Sequence, residues 1–137
     1  MMLELPTEPG NEGAFRIDEQ RPEPGIALLV VHGDADLHGA PELRERLRAA
    51  VNDGASAVVI DLANTSLLDS TALGVLLGAS KELREHDGEL QLVVSRPDIK
   101  RIFEITLLDQ IFPLHETRAE ALAAVDGASY RASSSDA

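Results

Sequence analysis

The chain contains no cysteine, which excludes a disulfide framework and any thiolate metal site. Tryptophan is absent and aromatic residues amount to 3%, too few for the stacking platforms that hold single-stranded nucleic acid. Positive charge is scarce as well: 12 Lys and Arg stand against 24 Asp and Glu, a formal net charge of −12. Affinity for a phosphate backbone comes from Lys and Arg neutralising it, so nucleic acid is not expected as a direct partner. The acidic excess serves solubility and equally suits a partner with a basic docking surface, and composition does not choose between them. No apolar run approaches the roughly 18 residues of a membrane span. The opening Met1-Met2-Leu3-Glu4-Leu5-Pro6 lacks the basic and apolar regions of a signal peptide. The expectation is a cytoplasmic protein with no membrane partner.

What is present suits one domain: 137 residues, 44% of them apolar, enough to build a core without staples. Residues 1–12, with Pro6, Pro9 and Gly10, read as a loose tail, and residues 126–137, rich in Ala and Ser, as a disordered end. Between them, residues 13–125 alternate strand-like and helix-like segments. Ala14–Asp18 alternates like a short edge strand, and Arg21–Gly25 is a turn by composition. Ile26–Val31 and Ala57–Leu62 are continuous apolar runs typical of strands buried on both faces. A helix starts near Pro41 with Leu43, Leu47, Ala50 and Val51 as its inner stripe, and Gly54 stops it. Asp87-Gly88 is a turn and Glu89–Val94 a further strand. Pro97 opens a helix through about Leu108, with Ile99, Ile102, Phe103 and Leu107 inward. Ile111–Leu114 reads as a short edge strand and Thr117–Val125 as a last helix. The alternation predicts an α/β fold with a mixed, mostly parallel sheet of about five strands and about four helices.

The stretch from Leu67 to Gly78 organises the rest. It follows the second apolar run after a loop of a few residues. Leu73, Leu76, Leu77 and Leu83 then fall on one helical stripe. Asp69 and Ser70 therefore sit at a helix start, where their oxygens can accept from its free N–H groups. Ser70 by itself reads as the cap, or as the neighbour of an Asp69 cap. Asp36 ends the first buried strand and reads by itself as a turn residue. If the two buried strands are neighbours, a right-handed crossover brings Asp36, Asp69 and Ser70 to one edge of the sheet, where α/β proteins bind ligands. Thr71, Gly74, Val75 and Gly78 form a stripe of small residues, which suits either close packing on the sheet or a shallow surface for a partner.

Enzyme chemistry finds little support. His32, His38, His86 and His115 lack metal-motif spacing. No nucleophile elbow surrounds Ser70, no phosphate loop follows Gly78, and the acids form no recognisable catalytic pair. No metal or cofactor is expected.

Asp69-Ser70-Thr71-Ala72-Leu73-Gly74, after Val58-Val59-Ile60-Asp61-Leu62, resembles the central motif of STAS domains, specifically the bacterial anti-sigma factor antagonists. Gly33-Asp34-Ala35-Asp36 with Ala40-Pro41-Glu42-Leu43 resembles the family's other marked segment, and the element order matches from about Ala14 to Val125. The resemblance implies a non-enzymatic domain that binds an anti-sigma factor, itself a serine kinase of the GHKL ATPase type, and so frees a sigma factor. It implies phosphorylation of Ser70 as the off-switch, a PP2C-type phosphatase as its reversal, and Asp36, Asp69, Ser70, Thr71, Leu73 and Gly74 as partner-binding positions. The other role open to such a domain is a scaffold or nucleotide-sensing module outside a sigma pathway. Ala72 departs from the family's usual Gly and places a methyl at the start of the helix, where the partner approaches.

Overall fold

The structure, a computed structural model, describes residues 14–125; the tails expected at 1–12 and 126–137 lie outside the described residues. Strands β1 (Arg16–Glu23) and β2 (Ile26–Ala35) form an antiparallel hairpin. Its turn is Pro24-Gly25 alone, with Gly25 at φ 85°, so the turn expected from Arg21 onward is shorter and the edge strand longer than its composition indicates. Pro22 is tolerated because β1 is an edge strand and a register shift falls between Gln20 and Glu23. Only Ile17 of β1 is buried, and its charged neighbours Arg16, Asp18, Glu19 and Arg21 discourage edge-to-edge pairing.

Four parallel pairings complete the sheet. β3 (Ala57–Asp61) lies beside β2, β5 (Glu89–Val93) beside β3, and β6 (Leu114–His115) beside β5. The fourth involves β4 (Thr65–Leu68), which pairs with the far end of β2 and brings the strands to six. The sequence predicts a loop over the β4 segment, and the structure corrects it to a strand. Among the described residues four α-helices connect and cover the strands: α1 (Ala40–Asn52), α2 (Ser70–Glu85), α3 (Pro97–Ile105) and α4, residues 118–125. The mixed, mostly parallel α/β architecture is as expected.

The alternation of side chains along the strands creates two cores. On one face Leu29, Val31, Val58, Ile60 and Leu92 meet Leu43 and Leu47 of α1, Leu76 and Leu83 of α2, and Ile99 and Phe103 of α3. Phe103 and Phe112 pack edge to face, centroids 5.9 Å apart. On the other face Ile26, Leu28, Val30, Val59 and Val93 meet Ala121 and Val125 of α4. That helix is pinned by charge: Arg118 donates from Nε and Nη2 to Oδ2 of buried Asp61 at 3.0 and 2.9 Å, and Oδ1 accepts from Ala63 N–H at 2.9 Å. Glu120 N–H donates to Thr117 Oγ1, which caps α4, and Glu116 N–H, one residue ahead of the cap, donates to Glu120 Oε1.

Two expectations around α3 are corrected. The helix ends at Ile105; Leu107 adopts φ 63° and is 60% exposed, because the turn after Thr106 breaks the periodicity that aimed it inward. The edge strand begins after Pro113 rather than at Ile111, since Pro113 has no N–H to give the ladder and contributes only its carbonyl, which accepts from Leu92 N–H at 3.1 Å. Ile111 is exposed and Phe112 turns into the main core.

Candidate functional site

β2 changes neighbours part-way along. It pairs with β3 over Ile26–Val30 and with β4 over Gly33–Ala35. The change occurs at Gly33, where φ is 84°, a register shift follows, and Gly33 N–H reaches Asn64 O at 3.1 Å. A side chain at that φ would be strained, so glycine permits the bend. The new register places Ala35 beside Leu68, and the next residues of both strands, Asp36 and Asp69, therefore emerge together. The proximity foreseen from neighbouring buried strands is real, but β4 delivers it.

Each aspartate organises a helix start. Asp36 closes the turn before α1: its Oδ1 accepts from His38 and Gly39 N–H at 3.0 and 3.3 Å, and its carbonyl accepts from Ala40 N–H at 2.9 Å. Asp69 is the N-cap of α2, with Oδ1 accepting from Ala72 N–H at 3.0 Å. Its Oδ2 accepts from Leu37 N–H at 2.9 Å, and its own N–H donates to Ala35 O at 3.2 Å. One carboxylate thus ties both loops together.

This division of labour settles what Ser70 does locally. Asp69 caps, and Ser70 is the first helical residue, exposed, its hydroxyl without a hydrogen bond among the described residues. The amides of Ser70 and Thr71 are likewise unpaired among those residues, as expected of a helix start open to solvent. Thr71 and Gly74 are exposed on the same stripe. Leu73 is not: it is 7% exposed and packs in the main core. Ala72 is fully buried, so its methyl fills the core instead of facing an approaching partner. At Gly74 and Gly78 an added Cβ would meet nothing within 4 Å, so these two positions and Thr71 open onto solvent, whereas Val75 of the same stripe is buried in the main core.

The surroundings are acidic and apolar. Asp34, Asp36 and Glu42, with Phe15, His38 and Gly39, line a cleft of about 320 Å³ beside the Asp36 turn. Leu37, 62% exposed, sits on the turn that Asp69 holds, and Leu67, 44% exposed, on β4 just before Asp69. Sequence reasoning left both out of the site, although an apolar residue directly after the turn aspartate was a legible signal at Leu37.

Residues 19–121 match the family model described as the STAS domain. The chain belongs to the STAS domain family. The anti-sigma-B factor antagonist of Staphylococcus aureus is 37% identical over 88 residues, 64% of this chain and 82% of that protein. The crystal structure of an anti-sigma factor antagonist from Mycobacterium paratuberculosis superposes with a TM-score of 0.76 at 30% identity, covering 83% of this chain and 96% of that one. The fold alone is shared with SpoIIAA, an anti-sigma factor antagonist, in its unphosphorylated form: TM-score 0.71, 23% identity, 83% of this chain and 97% of that one. The matched span of this STAS domain contains both loops and every residue of the edge. No described helix is long and apolar enough to cross a membrane.

Proposed function

We propose that this STAS domain is an anti-sigma factor antagonist whose docking edge is formed by Asp36, Asp69, Ser70, Thr71 and Gly74, and that phosphorylation of Ser70 ends the binding. Leu73 contributes from below by fixing the first turns of α2 to the core. The partner is an anti-sigma factor that is also a GHKL-type serine kinase, and a PP2C-type phosphatase restores the binding state. The protein acts in the cytoplasm as a binding module rather than an enzyme. The relatives named as antagonists support the partner class.

The observation that carries the switch is the exposed, unbonded hydroxyl of Ser70 at the first position of α2, left free because Asp69 does the capping. A phosphate there adds about −1.5 to −2 charge at neutral pH. The helix start, with two unpaired amides, favours that charge, so α2 stays folded. The edge already holds Asp34, Asp36 and Asp69, and a surface fitted to a neutral hydroxyl meets a bulkier, more negative one. Binding is lost through clash, desolvation and like-charge repulsion.

The test is capture from the native cell lysate with wild type, Ser70→Ala and Ser70→Asp as baits, with intact-mass analysis of the recovered wild type. The expected outcome is a GHKL-type protein bound to wild type and Ser70→Ala but not to Ser70→Asp, and one phosphate located at Ser70. Equal capture by all three baits without phosphate would leave a constitutive STAS binding module and sink the switch.

A further inference from the structure

Beyond the partner edge, a groove of about 230 Å³ runs between α1 and α2, bounded by Arg44, Arg48 and Val51 on one side and Gly74, Gly78 and Glu82 on the other. It is open because the two glycines leave free space where side chains would project. The other arginines of β1 and α1, which are Arg16, Arg21 and Arg46, all sit in ion pairs. Among the described residues Arg44 and Arg48 sit in none, as is also true of Lys81, Arg84, Lys100 and Arg101 on α2 and α3, but Arg44 and Arg48 are the two that line this groove.

We infer that the groove is the docking site of this chain's own N-terminal segment, residues 1–13. That segment carries Glu4, Glu8 and Glu12, no Lys or Arg, and the apolar Met1, Met2, Leu3 and Leu5. It therefore complements two guanidinium groups that have no ion pair among the described residues, above an apolar floor. It also enters the fold in the right place. The Phe15 ring lies against Gly39, so close that a Cβ at Gly39 would sit 2.8 Å from it, which fixes the end of the segment at the first turn of α1. Arg44 lies about 8 Å further along that helix axis, and thirteen extended residues span up to about 45 Å. Glu82 closes the far end of the groove and leaves the Arg44 end as the favourable one for acidic side chains. The C-terminal segment is a poorer candidate: it leaves from α4, which packs on the opposite face of the sheet, and carries Arg131. A docked segment covers Gly74 and therefore competes with any partner on the adjoining edge.

The absence of cysteine makes the test direct. A nitroxide is attached to Thr7→Cys in the full-length, ¹⁵N-labelled chain, and amide intensities are compared with the reduced label. The expected result is loss of the Gly74 and Gly78 signals with Ala121 and Leu122 retained, and recovery of the lost signals in the Arg44→Ala, Arg48→Ala variant and at high salt. Unchanged Gly74 and Gly78 signals would overturn the inference, as would losses that survive the arginine substitutions. Losses in a mixture of spin-labelled unenriched chain and ¹⁵N chain lacking the cysteine would overturn it in favour of a second copy. None of these readouts involves the sigma partner, so the inference stands or falls independently of that reading.

Discussion

Three helices cover one face of the sheet, and among the described residues one short helix covers the other. On the first face, large side chains from α1, α2 and α3 interdigitate with the strands. On the second, α4 brings only Ala121, Leu122 and Val125, and the Arg118–Asp61 pair supplies what the small apolar contact lacks. Apolar burial is strong but non-directional, whereas a two-nitrogen charged contact fixes where an element sits. The first face therefore supplies most of the stability and carries the proposed docking edge at its helix starts, and the second depends on one polar contact for its placement.

This contrast can be broken from either side. Phe103→Ala removes a fully buried ring from the first core and is expected to cost about 3–5 kcal/mol. Against a total of about 5–15 kcal/mol that is a large fall in the denaturation midpoint, read by chemical unfolding. Arg118→Ala attacks the second face and leaves the buried Asp61 carboxylate short of its charged donor, at about 1.5–3 kcal/mol. Hydrogen exchange should rise over residues 118–125 while α2 keeps its protection; equal loss in both would show that the faces unfold as one unit. Asp69→Ala is expected to cost about 0.5–2 kcal/mol as a lost cap. Its signature is faster exchange at two distant amides together, Ala72 and Leu37. Ser70→Ala should lie within about 0.5 kcal/mol of wild type in a thermal melt, since its hydroxyl bonds to nothing among the described residues; a larger shift would make Ser70 structural.

The elements legible in the sequence were those whose pattern is local. The apolar runs at Ile26 and Ala57 became the central strands because burial on both faces demands continuous apolar residues. The start of α2 was legible from Asp69 and Ser70, though not which of them caps, since either oxygen suits the place. β4 was illegible for a physical reason: four residues with buried ends and an exposed middle have no period of their own and become a strand only because β2 bends at Gly33 to offer them an edge. Gly74 and Gly78 left two readings open because helical spacing says which residues share a stripe, not what faces it. Leu107 misled because a single left-handed residue ends the period on which its placement rested. The Arg118–Asp61 pair joins residues 57 apart in the chain, and no local pattern announces it.

Asp69 holds the cap of α2 with one oxygen and the Leu37 amide with the other, so the two loops share a thermodynamic coupling. A ligand that draws Leu37 away from the carboxylate also perturbs the cap at Ala72, and anything that strains that cap loosens the hold on Leu37. By linkage the effect is equal in both directions: the free energy by which a strained cap disfavours a ligand on the Leu37 loop is the free energy by which that ligand strains the cap.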